Sequence, residues 1–206
     1  MILRVNPNRM ELMRLRRRLS LAQRGHKLLE DKLEELMRRF IGLLKDIGQA
    51  EQDFHQRTQA LLKDMFYCRI TTAQDSFQES LSKINADIAV EVSTLRVMNV
   101  KVPEFKVQRL EFTKDYDFFK TSGQLDLVVE AGKAYIPSLL KLAQLLKTGE
   151  LLSAEIERTR RRVNALQYLL IPSILATVSF IDDKLSEFER SNLVRLMRIK
   201  EIIRGH

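Results

Sequence analysis

The residues equipped for catalysis or metal binding are few in this sequence, and their spacing works against both. The histidines are His26, His55 and His206, and no two stand at metal-ligand spacing. His26 falls on an apolar helical stripe, where a core or register residue is the ordinary role. Cys68 is the single cysteine, which excludes an internal disulfide and a cysteine metal cluster and fits a reducing compartment. With no histidine near it in sequence to activate it, it reads as a structural thiol. None of the seven glycines opens a G-x-x-x-x-G-K-[ST] loop or a G-x-G-x-x-G turn. The pairs Glu34-Glu35 and Asp182-Asp183 read as charged helix faces. Arg158, Arg160, Arg161 and Arg162 could clamp an anion, but Glu155 and Glu157 beside them favour a solvated face. No catalytic residue, cofactor or metal is expected.

The informative chemistry is the placement of positive charge. The net charge is +8. Residues 4–24 hold seven arginines (Arg4, Arg9, Arg14, Arg16, Arg17, Arg18, Arg24) against Glu11, a net +6. Residues 190–204 hold Arg190, Arg195, Arg198, Lys200 and Arg204 against Glu201, a net +4, which leaves −2 for everything else. If the two ends meet they form one basic tip, suited to nucleic acid, an anionic membrane or an acidic protein surface. Arg14, Arg16, Arg17, Arg18, Arg190, Arg195 and Arg198 are the candidate partner contacts. Residues 1–24 and 190–206 contain no Phe, Tyr or Trp, which argues against base stacking and interfacial anchoring.

Long helices must carry these charges. From Leu12, alternate steps of three and four reach Leu15, Leu19, Ala22, His26, Leu29, Leu33, Leu36, Phe40, Leu43, Ile47, Ala50 and Phe54, and only His26 is not apolar. A 3.5-residue period held this long specifies a supercoiled helix. The stripe then shifts to Leu61 and Met65. Asn8 and Glu11 have capping-box spacing, and Pro7 bars an earlier start. A helix from about Met10 to Met65 is on the order of 80 Å long at 1.5 Å per residue. The C-terminal third repeats the pattern through Leu152, Ile156, Thr159, Val163, Leu166 and Leu170. Four-residue steps follow to Ile174 and Val178, and the heptad resumes at Ile181, Leu185 and Phe188. Pro172 predicts a bend near Tyr168–Pro172. Asn192 and Arg195 interrupt the seam. Antiparallel pairing of the two helices sets residues near 10 beside residues near 200.

Val163–Ile181 is a stretch of nineteen residues without a charge, long enough to suggest a membrane span. Asn164, Gln167, Pro172, Ser173, Thr177 and Ser179 interrupt it, and the stripe continues on both sides into charged helix. A buried coiled-coil segment is the expectation. The N-terminal run MILRVNPNRMELMRLRRR lacks the apolar core of a signal peptide.

The middle differs in kind. Ile88, Val90 and Val92 alternate with polar or small residues, as do Met98, Val100 and Val102, and Val107, Leu110 and Phe112 form a further β-leaning stretch. These predict a small hairpin or meander with Pro103 at a turn or edge. Two strands are marginal alone, so the hairpin should lean on the coil or on a partner. Thr121-Ser122-Gly123 reads as a loop. Leu125–Leu146 is helical in pattern, restarted or kinked at Pro137. The fold class is mainly α, a long antiparallel two-helix coiled coil with a small β-hairpin and helical insertion. The expected divisions are 1–67, 68–137 and 138–206.

Two stretches resemble the D subunits of V-type (vacuolar/archaeal-type) ATPases. Val5-Asn6-Pro7-Asn8-Arg9 leading into Leu19-Ser20-Leu21-Ala22-Gln23-Arg24-Gly25-His26-Lys27-Leu28-Leu29-Glu30-Asp31-Lys32 is similar to that family's Pro-Thr-Arg start and Ala-x-x-Gly-x-x-Leu-Leu-Lys-x-Lys run. Thr159-Arg160-Arg161-Arg162-Val163-Asn164-Ala165-Leu166-Gln167-Tyr168 with Ile171-Pro172 resembles its Thr-Arg-Arg-Arg-Val-Asn-Ala-Leu-Glu signature. Glu187-Phe188-Glu189-Arg190 and Arg195-Leu196-Met197-Arg198-Ile199-Lys200 resemble its tail. The departures are Asn8 for Thr, Glu30 for Lys, Gln167 for Glu, Ser191 for Glu and Met197 for Lys. The resemblance implies a non-catalytic central-stalk rotor shaft, coupling ATP hydrolysis or synthesis to ion transport. It implies that the paired chain ends enter a head of A and B subunits and that a small F subunit docks on the coil. The far end is then expected to meet a C (d-type) subunit above the membrane ring, on the cytoplasmic side, with no membrane span and no nucleic acid. The alternative is a basic-tipped helical hairpin that binds nucleic acid or an anionic membrane surface.

Overall fold

The computed structural model describes residues 5–72, 74–114 and 123–204. Thr121 and Ser122 of the expected loop, with Arg4 and His206, lie outside them. The element order is α1 (Arg9–Thr71), α2 (Gln74–Ser82), β1 (Ile84–Val97), β2 (Val100–Lys114), α3 (Gln124–Asn164), a π-helical segment (Ala165–Leu170) and α4 (Ile171–Arg204). The fold is mainly α with one inserted hairpin, as the periodicity predicts. Compact packing divides the chain into two units, residues 1–35 with 156–206 and residues 36–155.

α1 starts where its cap allows. The Glu11 N–H donates to Asn8 Oδ1 at 2.7 Å, so the Asn8 side chain satisfies one donor that the first turn leaves open, and the Leu12 N–H makes the first helical bond, to the Asn8 carbonyl at 3.1 Å. Glu11 does not close the reciprocal half of a capping box; its carboxylate meets Arg14 at 3.3 Å. All thirteen stripe positions from Leu12 to Phe54 are buried or half-buried, His26 included. The helix runs past the expected Met65 to Thr71.

In the first unit, Leu12 and Leu15 of α1 form a core with Ile174 and Ile181 of α4, and Leu19, Leu170, Val178 and Leu185 pack against it. Thr159 and Thr177 are fully buried on the same seam. The Thr177 hydroxyl donates to the Ser173 carbonyl at 2.7 Å, which lets a polar side chain sit in an apolar seam. Near Pro172 the expected disturbance takes a definite form. The Ile171 N–H reaches the Leu166 carbonyl, five residues back, at the end of the π segment. Pro172 has no N–H to give and its ring crowds the preceding turn. A wider turn relieves that crowding and absorbs the run of four-residue steps from Leu166 to Val178.

In the second unit, Cys68, Leu125 and Val128 form a core bordered by Leu61, Met65, Phe77, Leu81 and Ile84. Burial pushes the Cys68 thiol pKa up, in keeping with a structural thiol. α1 and α3 meet through Phe54 and Tyr135, whose ring centroids are 5.3 Å apart, and through Arg57, which donates to the Ala134 carbonyl at 2.9 Å. Pro137 lies inside α3 and does not end it.

The hairpin differs from expectation at its turn. Met98 and Asn99 both have positive φ, 47° and 69°. They are therefore the two central residues of a tight hairpin turn, and Met98 is not a strand residue. The two later β-leaning stretches are one strand, and Pro103 lies within it opposite Thr94. The Phe105 N–H donates outward to Gln144 Oε1 of α3 at 3.0 Å. Pro103, two residues earlier, has its nitrogen on the same outer edge, so no ladder bond is lost there. A bulge interrupts the register between Ala89 and Val90, whose partners are Arg109 and Val107, leaving Gln108 as the extra residue. In β2 the apolar residues change phase at this point, from odd (Phe105, Val107) to even (Leu110, Phe112). The bulge absorbs the change and puts all four on one face with Ile88, Val90 and Val92.

Candidate partner-binding end of the helix pair

Two ion pairs set the register at the basic end. Arg9 pairs with Glu189, and Arg16 Nη2 lies 2.8 Å from Asp182 Oδ2. One heptad forward on α1 is thus matched by one heptad back on α4, which is antiparallel pairing at constant register. Residues near 10 therefore lie beside residue 189, and not beside residue 200 as expected. The stripe alone could not settle this, because any whole-heptad slide keeps apolar residues facing apolar residues.

α1 has its first turn opposite Glu189, while α4 continues to Arg204. Every residue from Ser186 to Arg204 is exposed. Phe188, expected on the seam, is 61% exposed because it lies where the pairing ends. Leu193, Val194, Leu196, Met197, Ile199, Ile202 and Ile203 are all more than half exposed. An apolar, helical, uncovered segment of this kind is a candidate contact surface. Charge alone does not reveal these residues. Their signal in the sequence is that apolar positions persist after Asn192 and Arg195 end the seam.

The candidate arginines divide accordingly. Arg14 and Arg16 are engaged within the chain, with Glu11 and Asp182. Arg17 and Arg18 are exposed on α1, and Arg190, Arg195 and Arg198 are exposed on the extension of α4. Positive charge and apolar surface are thus interleaved along one helix. Of the anion-clamp candidates, Arg161 pairs with Glu157, as a solvated face requires. Asp182 is occupied by Arg16, and Lys184 and Glu187 pair at 2.8 Å. That hydrogen bond holds the Glu187 carboxyl below its ordinary range and raises the Lys184 ammonium. Among the described residues no three His, Cys, Asp or Glu side chains gather to hold a metal.

The sequence model of the ATP synthase D-subunit family matches residues 11–201. The chain belongs to the ATP synthase D-subunit family. The V-type ATP synthase D subunit of Clostridium botulinum (strain ATCC 19397 / Type A) is 42% identical over 208 residues, covering 98% of this chain and 96% of that protein. The proteins of the same name from Acetivibrio thermocellus and Clostridium novyi (strain NT) are 39% and 41% identical, each over 98% of this chain and 93% and 95% of their own. Family membership spans both helical stripes and the hairpin between them. The continuous helix Gln124–Arg204 contains an 18-residue window of mean hydropathy 1.5, long and apolar enough to cross a membrane, of which 17% is buried. In this family member the seam side of that region is occupied: Leu170, Ile174, Val178 and Ile181 pack with α1.

Proposed function

We propose that this chain is the central-stalk rotor shaft of a V-type ion-translocating ATPase/ATP synthase, itself non-catalytic, coupling ATP hydrolysis or synthesis in an A/B head to ion transport through a membrane ring. Membership of the D-subunit family supports the assembly. The observation that carries the mechanical reading is the helical extension 190–204, exposed throughout and continuous with a paired helix whose register is fixed by Arg9–Glu189 and Arg16–Asp182.

A shaft must resist slipping and must present a different face to each surrounding site. Interdigitated seam side chains resist slipping. On the extension Leu196, Ile199 and Ile203 share one side, while the cations are interleaved with apolar side chains over the rest, so its angle changes what each head subunit meets. Rotor angle then biases the conformational populations of sites on other chains, which is allosteric coupling. In this reading Arg17, Arg18, Arg190, Arg195 and Arg198 meet the head, with Arg14 and Arg16 setting the edge of that contact. The F subunit docks further along the coil, the C (d-type) subunit lies at the far end, and the protein is peripheral on the cytoplasmic side of the membrane.

The test mixes the full chain, or a chain ending at Arg190, with purified A and B subunits. Co-elution and ATP turnover with the full chain are expected, both weakened by truncation while helix content per residue is unchanged. Turnover by the pure chain alone would overturn the non-catalytic reading. Failure to associate with the head, combined with salt-sensitive DNA or anionic-vesicle binding lost on truncation, would establish the alternative.

A further inference from the structure

The hairpin has two unlike faces. One carries, away from the turn, Asp87, Glu91, Ser93, Glu104 and Arg109, and these groups satisfy one another or the bulge residue; nearer the turn it carries Leu95, Val97, Val100 and the buried Val102. Arg109 meets Asp87 at 3.0 Å, Gln108 donates to Glu91 at 2.9 Å, and Ser93 donates to Glu104 at 2.8 Å. The other face is the apolar strip that the Gln108 bulge brings into phase. Val92 is 64% exposed on it, and Ile88, Val107 and Val90 are each more than a third exposed. Without the bulge, Leu110 and Phe112 would fall on the opposite face from Phe105 and Val107, so the irregularity serves to build this strip. Phe105, Leu110 and Phe112 are half-buried, and the strip is left open at Ile88, Val90, Val92 and Val107.

The turn end of the strip bears a second anomaly. Arg96 and Lys101 are register partners, directly opposite each other on the apolar face. Like charges in that relation destabilise a strand pair. A hairpin that retains both, at the edge of an open apolar strip, is complementary to a carboxylate-bearing apolar surface. Two cations are fewer than the four to eight that hold a protein on anionic lipid, so a protein surface fits better than a membrane.

We infer that this face of the hairpin is a docking site for another subunit of the same assembly, one presenting an apolar stripe that ends in Asp or Glu side chains opposite Arg96 and Lys101. The inference rests on the proposed place of the chain in a multisubunit motor. Val90 and Val92 bury against the partner's stripe, and the partner's carboxylates relieve the repulsion between Arg96 and Lys101. The odd-numbered face of β1 takes no part.

The experiment places a photo-activatable benzoylphenylalanine at position 92 of the full chain, in the assembled complex. The expected product joins position 92 to a peptide of another subunit with Asp or Glu within one helical turn of the crosslinked residue. Lys101→Glu is the second arm. It turns the repulsive pair into an attractive one, so the hairpin should melt no earlier, while crosslink yield falls by about tenfold. Crosslinks only to this chain, to a second copy or to lipid, absence of any crosslink, or an undiminished yield in Lys101→Glu would each overturn the inference. Co-purification of the wild-type chain with the catalytic head is scored separately. Assembly without the crosslink rejects the docking site alone; failure to assemble rejects the rotor reading on which it rests.

Discussion

Arg16 and Asp182 are joined at 2.8 Å across 166 residues of sequence, seven positions inside the Arg9–Glu189 pair on each helix. Both partners of the inner pair are more than half exposed. A double-mutant cycle of Arg16→Gln and Asp182→Asn, read by thermal unfolding, should give a coupling of at most about 1 kcal/mol that shrinks with added salt. A coupling several times larger and insensitive to salt would show that the pair is shielded from solvent.

Gly149 sits inside α3 with room for a methyl group. A Cβ there would meet Ile47 Cδ1 at 3.5 Å and Leu43 Cδ2 at 3.6 Å, ordinary contact distances. Gly149→Ala should therefore raise stability by about 0.5–1 kcal/mol, through helix propensity and the reduced freedom of the unfolded chain. A lowered melting midpoint would mean that the two helices approach more closely than these distances state.

The Met98–Asn99 turn places a large side chain where φ is positive. Replacing the pair with Asn-Gly, the usual sequence for such a turn, should stabilise the hairpin by roughly 1 kcal/mol. Slower amide exchange across β1 and β2, with α1 unchanged, is the expected signature. Faster exchange would indicate that the Met98 side chain holds the turn in place.

Cys68 is 1% exposed. Its thiol should react with alkylating reagents only through local or global opening, far more slowly than in the denatured chain. Burial raises its pKa, so the folded state holds the proton more tightly than the unfolded state. That contribution to stability is complete below the ordinary thiol pKa and is lost as pH rises from there through the folded value. Denaturant midpoints measured on the alkaline side should fall less steeply for Cys68→Ala than for the wild type. Equal slopes would show that the thiol's titration is uncoupled from folding.

The parts of this structure visible in the sequence are those encoded by local spacing. The stripe from Leu12 to Phe54 is legible because a 3.5-residue period fixes one face whatever its partner, and all its positions are buried or half-buried. The disturbance before Pro172 is legible from the missing N–H, though its π form is not. Pairing between distant segments is harder to read. The offset of α1 against α4 depends on Arg9–Glu189 and Arg16–Asp182, contacts that no local pattern encodes. For that reason the heptad spacing puts Phe188 on the seam, and the extension 190–204 is legible by its charge and by the apolar positions that persist past Asn192 and Arg195, but not as an unpaired helix. The apolar side chain of Met98 suggests a strand, whereas the geometry of a two-residue turn decides its place.

The π segment has a consequence for inheritance by insertion and deletion. Each residue of an α-helix turns the chain by about 100°, so one residue gained or lost in a straight helix swings everything beyond it onto another face. Ala165–Leu170 is a stretch where such a change has a place to go. Deleting Gln167 would let ordinary helical bonding resume, and because five α-helical residues turn the chain about as far as six in the wider turn, Ile174, Thr177 and Ile181 would keep their face relative to Thr159 and Val163. The stripe opposite Leu12 and Leu15 would still face them. The wide turn thus works as a buffer between two stretches of one seam, taking up one residue without swinging the face beyond it.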